Sequence, residues 1–161
     1  MKKYINKFWR WYEANLKLNI GIAAFLFVWQ LFHLFWLSTD VVAERLVSFS
    51  LFNLTELWEL LVIAIDYGEI PAIVTVSLVY VNELRKGISR GRNILYLILL
   101  NSQWFHIFWI TDEFVVSKFR GVAETILPLW LAWVAVGIDY LELPVMYDTI
   151  SKFFTTKSKK K

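Results

Sequence analysis

Two histidines and four carboxylates stand inside stretches that are otherwise almost wholly apolar: His33, Asp66, Glu69, His106, Asp139 and Glu142. Imidazole nitrogen together with carboxylate oxygen suits Fe, Mn or Zn better than Ca or Mg, and the absence of sulfur argues against Cu(I). The chain has no cysteine, so disulfides, cysteine zinc sites and Fe–S clusters are excluded. Asp66 and Glu69 are three residues apart, as are Asp139 and Glu142, and that spacing puts each pair on one face of a helix. Gln30 precedes His33 by the same interval, and Gln103 precedes His106.

These residues recur at one gapless offset of 73. QLFHLFWLSTD returns as QWFHIFWITDE, and IDYGEIP returns as IDYLELP. Gln30 maps to Gln103, His33 to His106, Trp36 to Trp109, Asp40 to Glu113, Asp66 to Asp139, Tyr67 to Tyr140, Glu69 to Glu142 and Pro71 to Pro144. Two separate motifs in one register point to a duplicated helical hairpin. Much of what both copies keep is polar, whereas a duplication kept only for packing would preserve size and apolar character.

The hairpins are read from four long apolar blocks. The chain of 161 residues is 58% hydrophobic and 18% aromatic, with nine tryptophans and a mean hydropathy of +0.50. Blocks at 19–38, 57–81, 93–110 and 125–147 are long enough for membrane spans, which need about 20 residues of helix. The expected fold is therefore all-α, an integral membrane four-helix bundle of two tandem, parallel-oriented two-helix repeats. Repeat 1 covers 19–81 and repeat 2 covers 93–147. A basic amphipathic segment (1–18) precedes them, a linker (82–92) joins them and a basic tail (148–161) follows. Parallel copies are related by a pseudo-twofold axis along the membrane normal.

Charge sets the expected orientation. Fourteen Lys and Arg fall in the N-terminal segment, the linker and the tail, against three in the two other loops. By the positive-inside rule both termini are cytoplasmic. The N-terminal segment is interrupted by charge and followed by a full-length span, so it does not read as a cleaved signal peptide. Lipid is the expected surrounding, a homo-oligomer is left open, and no nucleic-acid partner is expected.

Depth brings the polar residues together. With a rise of about 1.5 Å per residue, His33 and Asp66 share one level of the bilayer, as do Gln30 and Glu69, and the second copy matches. Lipid cannot solvate these groups, so their helix stripes should turn inward. An Asp at a helix centre costs at least ~2.5–3.5 kcal/mol on insertion scales, and none of the four blocks contains Lys or Arg. Two divalent ions would neutralise four carboxylates, and two neutral imidazoles would complete their shells.

This inventory resembles the di-metal carboxylate sites of ferritin-like helix bundles, which pair single carboxylates with Glu-x-x-His motifs. The likeness is one of inventory and pseudo-symmetry: no Glu-x-x-His occurs in this chain. The expected ligands are His33, Asp66, Glu69, His106, Asp139 and Glu142, holding two ions of Fe, Mn or Zn. Gln30 and Gln103 are expected beside Glu69 and Glu142, Tyr67 and Tyr140 at helix interfaces, and Asp40 and Glu113 at an outer entrance. Trp36 and Trp109 are expected in an aromatic belt.

Three functions fit these residues. One is a non-haem oxidoreductase acting on O₂ or a lipid-soluble substrate. Another is a transporter of protons or divalent cations, and the third a non-catalytic membrane subunit with a structural polar core. A haem between His33 and His106 is a weaker variant, because carboxylates crowd the imidazoles. The inner halves of the blocks, Gly21–Phe27 and Ile73–Leu78, are almost wholly apolar, which disfavours a continuous ion path.

Overall fold

A computed structural model describes residues 2–48, 61, 64–112 and 129–156. Among these the fold is all-helical, with no strand. Helix α1 is Lys2–Ala14 and α2 is Leu16–Trp36. A π-helical turn, Leu37–Val42, continues α2 into the short α3, Ala43–Val47. Residues 64–67 are helical and lead into α4, Glu69–Arg85. Then come α5 (Arg90–Asn101), α6 (Gln103–Ile110), α7 (Leu129–Tyr140) and α8 (Leu143–Thr155).

Two helices, Leu16–Thr39 and Ala64–Arg85, are long and apolar enough to cross a membrane, at 24 and 22 residues. The blocks expected at 93–110 and 125–147 are each divided. At Ser102 the hydroxyl bonds back to the Leu99 carbonyl at 2.6 Å, offering the backbone an alternative partner where α5 gives way to α6. Between α7 and α8 the cause is Pro144, which has no N–H for the Tyr140 carbonyl. The chain tightens there, with Leu141 N–H donating to the Ile138 carbonyl at 2.9 Å. Pro71 acts the same way in the first copy: Gly68 N–H closes on the Ala64 and Ile65 carbonyls at 3.1 and 3.0 Å.

Helical structure also outruns the block expected to end at Ser38. The hydroxyls of Ser38 and Thr39 accept no break; they donate back to the Leu34 and Phe35 carbonyls at 2.7 and 2.8 Å. Such back-bonding widens a helical turn without ending it.

Helix α2 packs on α4 and α8, α4 on α5, and α6 on α7. The core between them is Phe27, Ala72, Ile73, Val76, Val79, Leu100, Val145 and Met146. Gly21 lets α8 approach α2 closely: a Cβ there would stand 3.1 Å from the Phe153 ring. Large apolar side chains also face outward in quantity, with Phe25 65% exposed and Phe105 and Phe108 each 69%. Trp109 is buried and Trp36 packs on the core, so the outward aromatics are their neighbours Phe35 and Phe108.

Truncating the fully buried Phe27 to Ala should lower stability by about 3–5 kcal/mol. Phe25→Ala, on an exposed face, should change it by less than about 0.5 kcal/mol. Unfolding of both variants in mild detergent checks the contrast.

Candidate metal centre

Helix α2 carries Gln30 and His33 inward, and α6 does the same for Gln103 and His106; all four are buried. Asp66 and Asp139 lie just before the two helix interruptions, and Glu69 and Glu142 just after them. These four are buried as well. All six expected ligands therefore sit in the interior.

His33 Nδ1 lies 2.5 Å from Asp66 Oδ1, and His106 Nδ1 lies 3.0 Å from Asp139 Oδ1. The second oxygen of Asp139 is 3.6 Å from His33 Nε2, so this carboxylate stands between the two imidazoles, whose ring centroids are 5.7 Å apart. His33, His106 and Asp139 present ligand atoms within 4.8 Å of one another, a group that could hold a metal ion. Both nitrogens of each imidazole, both Asp139 oxygens, Asp66 Oδ1, Glu69 Oε2 and Glu142 Oε1 lack an aligned hydrogen-bond partner among the described residues. Buried lone pairs of this kind are costly unless something binds them.

The glutamines behave differently from expectation. Their amides do not reach Glu69 and Glu142. Gln30 Nε2 donates to the Ile65 carbonyl at 3.4 Å, and Gln103 Nε2 to the Ile138 carbonyl at 3.0 Å. Each amide thus adds a second donor to a carbonyl in the turn before the interruption, one that already accepts from Gly68 or Leu141 N–H.

Tyr67 and Tyr140 do more than fill interfaces. The Tyr67 hydroxyl pairs with Thr111 Oγ1 at 2.8 Å, and the Tyr140 hydroxyl with Ser38 Oγ at 2.6 Å. Each bond thus joins a tyrosine of one sequence copy to a hydroxyl of the other, and the two bonds keep the offset of 73. A narrow crevice lined by Asp66, Tyr67, Ile107 and Ile110, too tight to admit a water molecule, lies beside the cluster. Asp40 is on the π-helical turn, but its side chain, like all of Glu113, lies outside what the structure describes.

A second polar layer escaped the sequence reading. Tyr80, in α4, donates to Asp148 Oδ2 at 3.0 Å and pairs with Thr149 Oγ1 at 2.9 Å, both in α8. Lys152 Nζ reaches Glu83 Oε1 at 2.9 Å and Asp148 Oδ2 at 2.7 Å. Thr149 lies two turns beyond Glu142, about 10 Å along the helix. Buried Ala72, Ile73, Val76, Val145 and Met146 intervene in sequence. The seven-residue spacing of Glu142 and Thr149 was the available signal, but it reads equally as an amphipathic helix end.

Family models, curated proteins and solved structures all give no match to this chain.

Tyr67→Phe should cost about 0.5–1.5 kcal/mol, the usual net value of a hydrogen bond. Tyr140→Phe should cost less, because its pair is exposed. Equilibrium unfolding of the two variants in detergent measures the difference.

Proposed function

We propose that this chain is a four-span integral membrane protein whose buried His/carboxylate cluster holds one or two ions of Fe, Mn or Zn. The observation that carries the proposal is the convergence of His33, His106 and Asp139, with ligand atoms within 4.8 Å and no aligned hydrogen-bond partner among the described residues. Two atoms each about 2.0–2.2 Å from one ion stand roughly 3–3.5 Å apart at octahedral or tetrahedral angles. Asp139 meets the two imidazoles through different oxygens, at 3.0 and 3.6 Å, so the group would draw together around an ion.

Asp66 lies against His33 Nδ1, where a small reorientation would give the carboxylate–imidazole pair that orients a metal-binding histidine. Glu69 and Glu142, with Asp66, supply the remaining oxygens for a second ion. The Asp139 carboxylate occupies the space where a bis-imidazole haem would need its porphyrin, which disfavours haem.

The membrane reading is supported by the exposed Phe25, Phe32, Ile98, Phe105, Phe108 and Trp130 around buried Gln, His, Asp and Glu, an inversion that lipid tolerates and water does not. The two-repeat reading is supported by the paired bonds that keep the offset of 73. The basic segments support a cytoplasmic position for both termini.

Of the reactions open to such a centre, we favour oxidation–reduction with O₂ or a lipid-soluble substrate. The exposed apolar side chains on the helix that carries His106, Phe105 and Phe108, would bring the centre close to molecules dissolved in lipid. Transport of protons or cations is less well supported, because apolar residues of α4 and α8 separate the centre from the inner polar layer in sequence.

Purified protein should contain one to two equivalents of Fe, Mn or Zn by elemental mass spectrometry. A His33→Ala/His106→Ala variant should lose nearly all of it, while Tyr67→Phe keeps it. Metal-free wild-type protein that takes up none of the three ions would sink the proposal and leave a structural polar core.

The absence of native cysteine makes topology directly testable. Asn53→Cys should react with a membrane-impermeant maleimide from outside intact cells, whereas Gly87→Cys should react only after permeabilisation. The reverse pattern would overturn the orientation.

A further inference from the structure

A cleft of about 600 Å³ lies far from the histidines, between α1 and the end of α4, lined by Lys3, Asn6, Trp9, Arg10, Glu13 and Arg85. Three of its side chains are cationic and one is acidic. The acid is engaged: Glu13 Oε1 lies 3.6 Å from Lys86 Nζ. Lys3 and Arg10 have no ion-pair partner among the described residues. Arg85 is held with its guanidinium carbon 4.1 Å from the centroid of the Trp9 ring. Trp9 is in turn packed edge-on against Phe8 and Tyr12, at 5.1 and 5.6 Å between centroids. A guanidinium fixed in this way loses little freedom when it binds an anion, and its planar fork suits phosphate.

The opposite face of α1 identifies where that anion comes from. At 100° per residue, Tyr4, Ile5, Phe8 and Trp11 centre on the side of the helix facing away from Lys3, Asn6, Arg10 and Glu13. All four apolar residues are exposed. A helix of this kind lies in the membrane interface with its apolar face sunk roughly 5–10 Å. With a helix diameter of about 10–12 Å, its polar face stays at the level of the lipid headgroups.

We propose that this cleft binds the phosphate of an anionic phospholipid headgroup, with Lys3, Arg10 and Arg85 as its cationic contacts, Asn6 as a neutral donor and Trp9 as the wall that positions Arg85. The inference rests on the membrane reading and is independent of the metal.

The test is lipid retention. Protein reconstituted into phosphatidylcholine doped with phosphatidylglycerol is re-extracted in mild detergent and weighed by native mass spectrometry. Wild-type protein should retain one phosphatidylglycerol in preference to phosphatidylcholine. Lys3→Gln/Arg10→Gln should lower that preference by about thirtyfold, as expected for two basic groups near the lipid phosphate. Lys2→Gln/Lys7→Gln removes the same charge from the same helix outside the cleft and should lower it less than about twofold. All four positions are exposed, so both variants should fold, as circular dichroism can verify. The metal-deficient His33→Ala/His106→Ala variant should retain the lipid, which separates this proposal from the preceding one. No preference in the wild type, or equal loss in the two double variants, overturns the cleft. In a parallel titration, inorganic phosphate alone should give no calorimetric response and displace no lipid. Binding of free phosphate that expels the lipid would instead assign a soluble ligand and overturn the headgroup.

Discussion

An ionised carboxylate leaves water at a cost of several kcal/mol even after the surroundings relax, and Asp66, Glu69, Asp139 and Glu142 all do so in one cluster. No Lys or Arg lies in the apolar blocks to offset them. The imidazoles of His33 and His106 are the nearest bases, and each has a carboxylate oxygen within 3.0 Å. Much of the surrounding architecture can be understood as a response to this constraint. The polar stripes turn inward, many large aromatics turn outward, and the glutamines bond the backbone beside the carboxylates. The metal proposal adds the positive charge that the chain itself withholds.

Pro71 and Pro144 connect backbone to site. Each removes a helical donor just beyond a Tyr, and the chain responds with the tight closures at Gly68 and Leu141. Asp and Glu therefore flank an interruption rather than sitting on an uninterrupted helix. Gln30 and Gln103, drawn to Ile65 and Ile138, tie the histidine helices to the same points. A single substitution type, proline in an apolar helix, thus links the position of the carboxylates to that of the imidazoles one helix away.

The polar core was legible from sequence because ionisable residues stand out in apolar blocks and the offset of 73 brings the two sets into register. Periodicity predicts which face of a helix turns inward, and it did so for His33, Glu69 and their counterparts. It does not identify the atom on the far side. The glutamine amides found carbonyls instead of carboxylates, and the tyrosine hydroxyls found Ser38 and Thr111. Nor does apolar composition report where a helix breaks: α5 gives way to α6 at Ser102, inside a block whose hydropathy is continuous. Trp109 was misread as a belt residue because residue type suggested depth, whereas its neighbours on the helix determined burial. The inner layer around Tyr80 was missed because Asp148 and Lys152 read as charges beyond the span, not as partners of a residue in α4.

The bond between Ser38 and Tyr140 spans 102 residues of sequence, and His33 meets Asp139 across a similar interval. At a synthesis rate of roughly 5–20 residues per second, the first helices wait several seconds or more for the last. During that interval His33, Asp66 and Glu69 stand with half their surroundings missing. The nascent chain thus carries unpaired polar groups until its final helices arrive. Chain length between the copies therefore acts as a clock on biosynthesis, and lengthening the linker at Gly87 extends the exposed period without changing the finished molecule.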